Sequence, residues 1–361
     1  MTFGLVIYGS LEQLTGGYLY DKILVDYLRG KGHRVKIFSL RSRSYGLKLL
    51  DNFSHALYRQ LTAESLDVLI EDELNHPSLF RLNEELKKKQ DLPIVSVVHQ
   101  VLCRQPRAAS RNVFYRYFES RFLNSVDGLV FNSHSTQTAV QELLQTPKPC
   151  IVAHPAGDRL GGLDDEEKIR ERTFQRGPLQ LLFLGNVLPN KGLHLLIEQL
   201  SAVPKTHWQL VVVGSMGMHP AYVKRVRLLI KERRVSDNVL FRGSLQGQDL
   251  RSVLQHSHVL AMPFSHEGYG IAYVEGMAFG LPAIGSESGA AGEIIRHEEN
   301  GFLIPCERPE ELGRIIRRLY SDRDLLFRMS LAARQRFEAH PTWAMSMEKI
   351  YRFLLEIAKG Q

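Results

Sequence analysis

Two glutamates, Glu267 and Glu275, stand eight positions apart in the stretch SHEGYGIAYVEGMAFGLPAIGSESGAAGE, residues 265–293. Two carboxylates can act as an acid/base pair, bind a metal ion or accept hydrogen bonds from a polyhydroxyl ligand; they can also simply mark the start of a helix. No H-x-x-x-H pattern stands beside them, so a metal site is poorly supported. We expect Glu267 in a loop after strand 258–263 and Glu275 in a helix that begins near Gly270. The surrounding glycines would let backbone N–H groups approach a ligand.

A lysine opens another predicted helix. The sequence GNVLPNKG places Lys191 and Gly192 directly after strand 180–184. A positive side chain at a helix N-terminus suits a diphosphate, although an exposed lysine in a turn explains the same pattern. The order G-x-x-x-x-G-K-[ST] is missing, so this turn is not a P-loop.

Two further candidates lie in the first half of the chain. Gly16 and Gly17 precede a helix that follows the first strand, where backbone N–H groups can approach an anion. The G-x-G-x-x-G fingerprint is absent, which argues against a nicotinamide enzyme. His99 ends the apolar run PIVSVVHQ and so lies at the carboxyl edge of a sheet, where such sheets bind ligands. A structural histidine is the alternative.

Twelve short apolar runs alternate with helical stretches and would place these residues. This alternation predicts βαβ units and parallel sheets. The polar segment 157–178 interrupts the pattern and is interpreted as a linker between a domain at 1–156 and another at 179–342. We therefore predict an α/β protein with two Rossmann-like, doubly wound domains facing a central cleft. The helices are expected at 18–31, 111–125, 134–145, 191–200, 220–234, 247–255, 309–319 and 343–358.

The composition is that of an ordinary globular protein. The 361 residues are 44% hydrophobic and 24% charged, and the three cysteines form no C-x-x-C pattern. No segment resembles a signal peptide or a spanning helix, so we expect a cytoplasmic location. The net charge of +7 concentrates at 29–59 and 104–121. Residues 41–61 could form one helix that rests on an anionic membrane, or one that packs within a domain. No nucleic-acid motif accompanies these runs.

The stretch EGYGIAYVEGMAFGLPAI resembles the E-x7-E signature of retaining nucleotide-sugar glycosyltransferases with the GT-B fold, in particular family 4. The resemblance extends along nearly the whole chain. Gly16-Gly17 is similar to the family's N-terminal glycine loop, and Gly185 with Lys191-Gly192 is similar to its G-R-x-x-x-x-K-G turn. The C-terminal sequence TWAMSMEKIYRFLLE looks like the family's last helix, which implies that 343–361 joins the N-terminal, acceptor-binding domain.

The resemblance implies a role for each matched position. Glu275 would bind the ribose, Glu267 the transferred sugar, and His99 the sugar and the acceptor. Lys191 and the backbone at Gly17 would stabilise the diphosphate, without a metal ion or another cofactor. The catalytic residues would be His99, Lys191 and Glu267, and the donor-binding residues would be Gly16, Gly17, Asn186, Lys191, Gly268, Tyr269, Gly270, Ile271 and Glu275.

The resemblance implies transfer, with retention, of a hexosyl group from a UDP- or GDP-linked sugar to an acceptor hydroxyl, in polysaccharide or glycolipid assembly. The acceptor would be a glycan, a lipid-linked sugar or a small molecule. One position departs from the family pattern, because Asn186 stands where the family has a phosphate-binding arginine. Arg242 and Arg104 are candidates to replace it. A sugar-nucleotide-binding partner protein without transfer activity is the alternative from another class, and an isomerase or phosphorylase on the same fold is a third.

Overall fold

The computed structural model describes residues 1–13, 15–105, 108–161, 165–263 and 267–360. Its chain divides into two compact units, of which one holds Met1–Pro155 with Trp343–Gln361 and the other Ala156–Thr342. The predicted α/β class with two parallel sheets is confirmed. Each unit is described below by itself.

Within the described residues, twelve strands coincide with the twelve apolar runs of the sequence. Most of their residues are buried, because helical connections cover parallel sheets and leave little of either face to water. The first six strands are β1 (Thr2–Tyr8), β2 (Arg34–Leu40), β3 (Val68–Asp72), β4 (Ile94–Val98), β5 (Gly128–Phe131) and β6 (Cys150–Val152). The other six are β7 (Leu179–Leu184), β8 (Trp208–Val213), β9 (Val239–Gly243), β10 (Val259–Met262), β11 (Ala283–Ser286) and β12 (Gly301–Ile304).

The helices connect successive strands or follow the last strand of a sheet. They are α1 (Gly16–Gly30), α2 (Tyr45–Lys48), α3 (His55–Thr62), α4 (His76–Lys89), α5 (Ala109–Ser125), α6 (His134–Gln141), α7 (Glu166–Phe174), α8 (Leu193–Ser201), α9 (Pro220–Glu232), α10 (Gly247–His256), α11 (Ile271–Met277), α12 (Glu311–Ser321), α13 (Arg323–Glu338) and α14 (Trp343–Lys359). Neither α4 nor α13 is among the helices expected from the sequence.

The two sheets are both six-stranded and parallel but differ in strand order. The first runs β2-β1-β3-β4-β5-β6 and the second β12-β11-β10-β7-β8-β9. In the first sheet the order reverses between β1 and β3, and in the second between β7 and β10. Ligands of doubly wound sheets bind beyond the carboxyl ends of the strands at this reversal. The loops after these four strands are therefore the places to look for a site.

Helix α14 is part of the first unit, although it ends the chain. The Trp343 ring lies 5.6 Å from the Tyr20 ring of α1, edge to face. The Tyr27 hydroxyl donates to a Glu348 carboxylate oxygen at 2.5 Å. A Cβ added to Gly128 of β5 would lie 3.0 Å from the Phe353 ring, so glycine leaves the space that α14 occupies.

The interpretation of 157–178 as a linker is wrong for most of its length. The segment belongs to the second unit and contains α7, in which Ile169 and Thr173 are buried. The guanidinium of Arg172 donates to the backbone oxygens of Phe279, at 2.8 Å, and Gln255, at 3.1 Å. Because an arginine satisfied by carbonyl groups can be buried, the charged composition concealed a packed helix. Residues 162–164 of this segment lie outside the described residues.

Candidate functional site

Lys191 and Glu267 meet at the strand-order reversal of the second unit. Lys191 follows β7 and Glu267 follows β10, and these strands are neighbours in the sheet. The Lys191 Nζ lies 2.6 Å from Glu267 Oε1, with 22% and 13% of the two side chains exposed. Two residues that are 76 positions apart therefore form one partly accessible ion pair beyond the carboxyl ends of β7 and β10.

Backbone geometry fixes both members of this pair. Lys191 ends a 3-10 turn, and Gly192 then takes a φ of 67° to start α8, a conformation that favours glycine. The backbone oxygen of Glu267 accepts from the Ala290 N–H at 3.1 Å. Gly270, at φ 102°, precedes α11, and a Cβ there would lie 2.4 Å from the Tyr273 ring. Gly270 near the two glutamates is therefore required by the backbone conformation and by the close approach of the Tyr273 ring.

Glu275 has a different partner. Its side chain is nearly fully buried on α11, and Oε1 accepts a hydrogen bond from Arg159 Nε in an ion pair. Burial raises the pKa of Glu275, and the Arg159 charge opposes that rise. No sequence pattern singled out Arg159, because it lies in the segment predicted as a linker. The two glutamates are therefore not an acid/base couple in the structure, since each is paired with its own cation.

Other predicted donor-binding residues hold the fold around this pair. The Asn186 Oδ1 accepts from the Ser215 N–H at 3.0 Å and so ties the loop after β7 to the loop after β8. The Tyr269 hydroxyl is buried and lies 2.5 Å from His340 Nε2. Gly268 precedes this tyrosine, and Ile271 is the first residue of α11.

Neither arginine considered as a replacement at Asn186 is shown to reach it. Arg242 is an exposed residue of β9, which lies at the end of the second sheet. Arg104 belongs to the first unit, where it forms an ion pair with Glu142. The described residues therefore offer Lys191 and Arg159 as the cations paired with the two glutamates.

His99 and Gly17 lie together in the first unit. His99 Nε2 is 3.2 Å from Asp21 Oδ1 of α1, and the His99 ring stands edge to face with Tyr20 at 5.3 Å. A Cβ added to Gly17 would lie 3.1 Å from His99 Cδ2. Gly16 is the first residue of α1, whose N-cap Thr15 accepts from the Tyr18 N–H. Gly17 therefore permits close contact between the start of α1 and the histidine.

Two aspartates that the sequence analysis missed surround this histidine. Atoms of Asp21, Asp72 and His99 that could bind a metal ion lie within 4.8 Å of one another. One oxygen of each aspartate is buried with no hydrogen-bond partner among the described residues. Burial disfavours the charged imidazole, but Asp21, then Asp72 and Glu73, raise the pKa of His99 to about 9. The group can hold a proton at neutral pH or bind a cation. Asp72 is the last residue of β3, and His99 directly follows the neighbouring strand β4. Their positions at the same edge of the sheet are the feature of the sequence that could have predicted this contact.

A second acidic cluster, fully buried, lies beside the first. Oxygen or nitrogen atoms of Glu73, His76 and Glu119 also lie within 4.8 Å of one another. The Glu119 carboxylate accepts backbone N–H bonds, among them one from Cys103 at 2.9 Å. The Tyr45 hydroxyl lies 2.8 Å from His76 Nε2 and connects α2 to this cluster. Burial lowers the pKa of His76 to about 4, so its imidazole is neutral.

Comparisons with known proteins find similarity to glycosyltransferases. Residues 164–336 match the model of the family described as Glycosyl transferases group 1. The chain is 28% identical over 304 residues to the D-rhamnosyltransferase WbpZ of Pseudomonas aeruginosa, covering 80% of this chain and 72% of WbpZ. Other curated glycosyltransferases match over about half of their length.

Solved structures show the fold. A sucrose-phosphate synthase from Thermosynechococcus elongatus superposes with a TM-score of 0.81 at 18% identity, covering 98% of this chain and 99% of that one. Anabaena HepE, in a complex with UDP-glucose, superposes with a TM-score of 0.78 at 17% identity over the full length of both chains. The chain therefore has the GT-B fold, and residues 164–336 of its second unit are similar to the group 1 glycosyltransferases.

Proposed function

We propose that this protein transfers a hexosyl group, with retention of anomeric configuration, from a UDP- or GDP-linked sugar to an acceptor hydroxyl. The observation that carries the proposal is the Lys191–Glu267 pair at the strand-order reversal of the group 1 domain. It unites a cation suited to a diphosphate with a carboxylate suited to sugar hydroxyls. The UDP-glucose complex of HepE and the GDP-mannose-dependent relatives support a nucleotide diphosphate sugar as the donor.

The cationic and the anionic side chains of the site have different roles in this proposal. Lys191 stabilises the negative charge that develops on the leaving diphosphate as the glycosidic bond breaks. Glu267 accepts hydrogen bonds from the sugar, and Glu275 accepts them from the ribose. The Arg159 charge opposes the rise in the Glu275 pKa that burial causes, and so favours the carboxylate form. No metal ion or further cofactor is required in this scheme, because side-chain and backbone donors supply the positive charge.

The reaction needs no carboxylate nucleophile. The electron pair of the breaking bond leaves with the diphosphate oxygen, the acceptor oxygen attacks the same face of the sugar, and its proton passes to the leaving phosphate. His99 positions hydroxyl groups of the sugar and acceptor. Asp21 holds the His99 ring through its 3.2 Å contact. Cytoplasmic activity in polysaccharide or glycolipid assembly is part of this proposal and is consistent with three free cysteines.

The test is a thermal-shift panel of UDP, GDP and ADP sugars followed by turnover of the stabilising donor. The true donor raises the melting temperature by mass action, in proportion to the logarithm of its concentration above Kd. Release of nucleoside diphosphate with an acceptor, an α-linked product from an α-linked donor, and turnover that survives EDTA are the expected results. Donor binding without turnover for any acceptor would favour the non-catalytic alternative, and an inverted product would contradict retention.

A further inference from the structure

Six large apolar side chains are exposed in two segments of the first unit. One segment is α2 with the 3-10 turn Leu49–Phe53 that follows it, and the other is the N-terminal half of α5. Exposed apolar side chains that occur singly need no explanation, whereas a group of them marks an interaction surface. This group, called the apolar patch below, consists of Leu47, Leu50, Phe53, Val113, Phe114 and Tyr117, each between 46% and 68% exposed.

Ring contacts join the two segments of the apolar patch. The Tyr45 ring of α2 lies 5.6 Å from the Phe114 ring and 4.8 Å from the Tyr115 ring of α5. The segments are therefore neighbours. Their exposed side chains belong to one surface of the first unit.

The packed-helix interpretation of 41–61 explains only part of that segment. The sequence predicted one helix with its leucines on one side, but the structure breaks at Ser54, whose side chain accepts from the Leu57 N–H at 3.2 Å. Leu57 and Leu61 are buried in the core beyond this break. Before the break, Leu49 is partly buried against the core, whereas Leu47, Leu50 and Phe53 are exposed, so the core does not require these three.

The charged side chains without an ion pair in the two segments are of one sign. The acidic residue of 41–61, Asp51, pairs with Arg43 and is 12% exposed, and the acidic residue of 108–121, Glu119, is fully buried. Four exposed arginines in these segments make no ion pair within the part of the chain that the structure describes, namely Arg41, Arg59, Arg111 and Arg116. Arg121 and Arg104 are neutralised by Glu84 and Glu142.

We propose that the apolar patch and its arginines form a docking surface for a bilayer that contains anionic lipid. Apolar side chains enter the headgroup boundary, and each nearby arginine adds attraction to acidic headgroups. Among the described residues no helix is long and apolar enough to cross a bilayer. The combination of apolar anchors with unpaired cations fits such a surface better than it fits a second, equally basic copy of this chain.

Contacts connect α2, which carries part of the apolar patch, to the sheet edge where His99 lies. Tyr45 contacts His76, which closely follows β3, and β3 pairs with β4, whose next residue is His99. If the proposed transfer activity holds, a sugar acceptor carried by a membrane lipid would reach this edge. That extension rests on the proposed function, whereas membrane docking does not.

The experiment is sedimentation of the full chain with vesicles of phosphatidylcholine, with and without phosphatidylserine, at low and high salt. We expect binding to the acidic vesicles at low salt and its loss at high salt. Leu50→Glu should weaken binding about tenfold, the effect of keeping one large apolar side chain from burial. Leu228→Glu is the matched control, because Leu228 is 50% exposed in the second unit and the charge change is the same.

Three results would overturn the proposal. They are no binding to acidic vesicles at low salt, equal binding by the Leu50→Glu and Leu228→Glu variants, and a patch-dependent dimer in sedimentation velocity without vesicle binding. Donor-induced thermal shifts of both variants are measured in parallel, since they depend on the donor site alone. A chain that binds donor but not vesicles refutes docking and leaves the transfer proposal intact.

Discussion

Replacement of Lys191 by alanine should reduce turnover far more than stability. The ammonium lies 2.6 Å from Glu267 Oε1, so in the free protein it is held where a sugar diphosphate is proposed to bind. Loss of one donor aimed at developing negative charge costs roughly 2.7 to 4 kcal/mol, or about 10² to 10³ in kcat. The Glu267 carboxylate left behind is 13% exposed, so water can reach it, and loss of the ion pair should cost only about 1 kcal/mol of unfolding free energy.

A double-mutant cycle separates two explanations for this loss. If Lys191 acts on the diphosphate, Lys191→Ala lowers kcat by a similar factor in the wild-type and Glu267→Gln backgrounds. If it merely neutralises the Glu267 carboxylate, its removal has little effect in the background that lacks this carboxylate. The assay measures nucleoside diphosphate release at saturating donor, with urea unfolding of each variant. Lys224→Ala, at an exposed position of α9, is the control. Near-normal turnover of Lys191→Ala would refute the reasoning.

Three more predictions concern other residues of the candidate site. Asp21→Asn should lower the pKa of His99 from about 9. Because this pKa is higher in the folded than in the unfolded protein, protonation of His99 stabilises the fold below about pH 6.5, and the stabilisation is lost as the pH rises through about 9. The melting temperature of the wild type should therefore fall more over this pH range than that of the variant. Gly17→Ala should press a Cβ against His99 and lower kcat about tenfold, whereas Gly30→Ala in the same helix meets nothing within 4 Å and should leave it unchanged. Arg159→Ala should cost about 3 kcal/mol in urea unfolding near neutral pH, and less in acid, where the stranded glutamate takes up a proton; an equal cost at both pH values would contradict the buried-pair interpretation.

The alternation of apolar runs with helical stretches predicted all twelve strands and both sheets, since buried parallel strands must be short, apolar and separated by crossovers. It did not predict α13, in which charged residues are interspersed among the buried ones. It also missed α4, whose first turn contains the buried polar residues His76 and Ser78. A helix whose polar side chains are buried or interspersed among its apolar ones lacks a clear apolar face, so the apolar pattern of the sequence does not predict it.

The site was predicted in part for a related reason. Types and spacing identified Lys191 and Glu267, because both follow strands and the carboxyl ends of parallel strands share an edge. Their direct contact depends on β7 and β10 being neighbours, a pairing across an intervening αβαβα segment that no local pattern encodes. Arg159 and Asp21 escaped notice because nothing near them in sequence marks a ligand. Their proposed roles follow only from their contacts with Glu275 and His99, which the structure shows.

The discontinuous composition of the first unit has a consequence for synthesis. A ribosome delivers residues 1–155 and then the whole second unit before Trp343 emerges to complete the first. At about 5 to 20 residues per second, those 187 intervening residues take roughly 10 to 40 s. During that interval the groove that later receives Met347, Ile350 and Leu354, all fully buried in the finished protein, faces water. The unit whose translation begins first is therefore the last to have all of its residues available for folding.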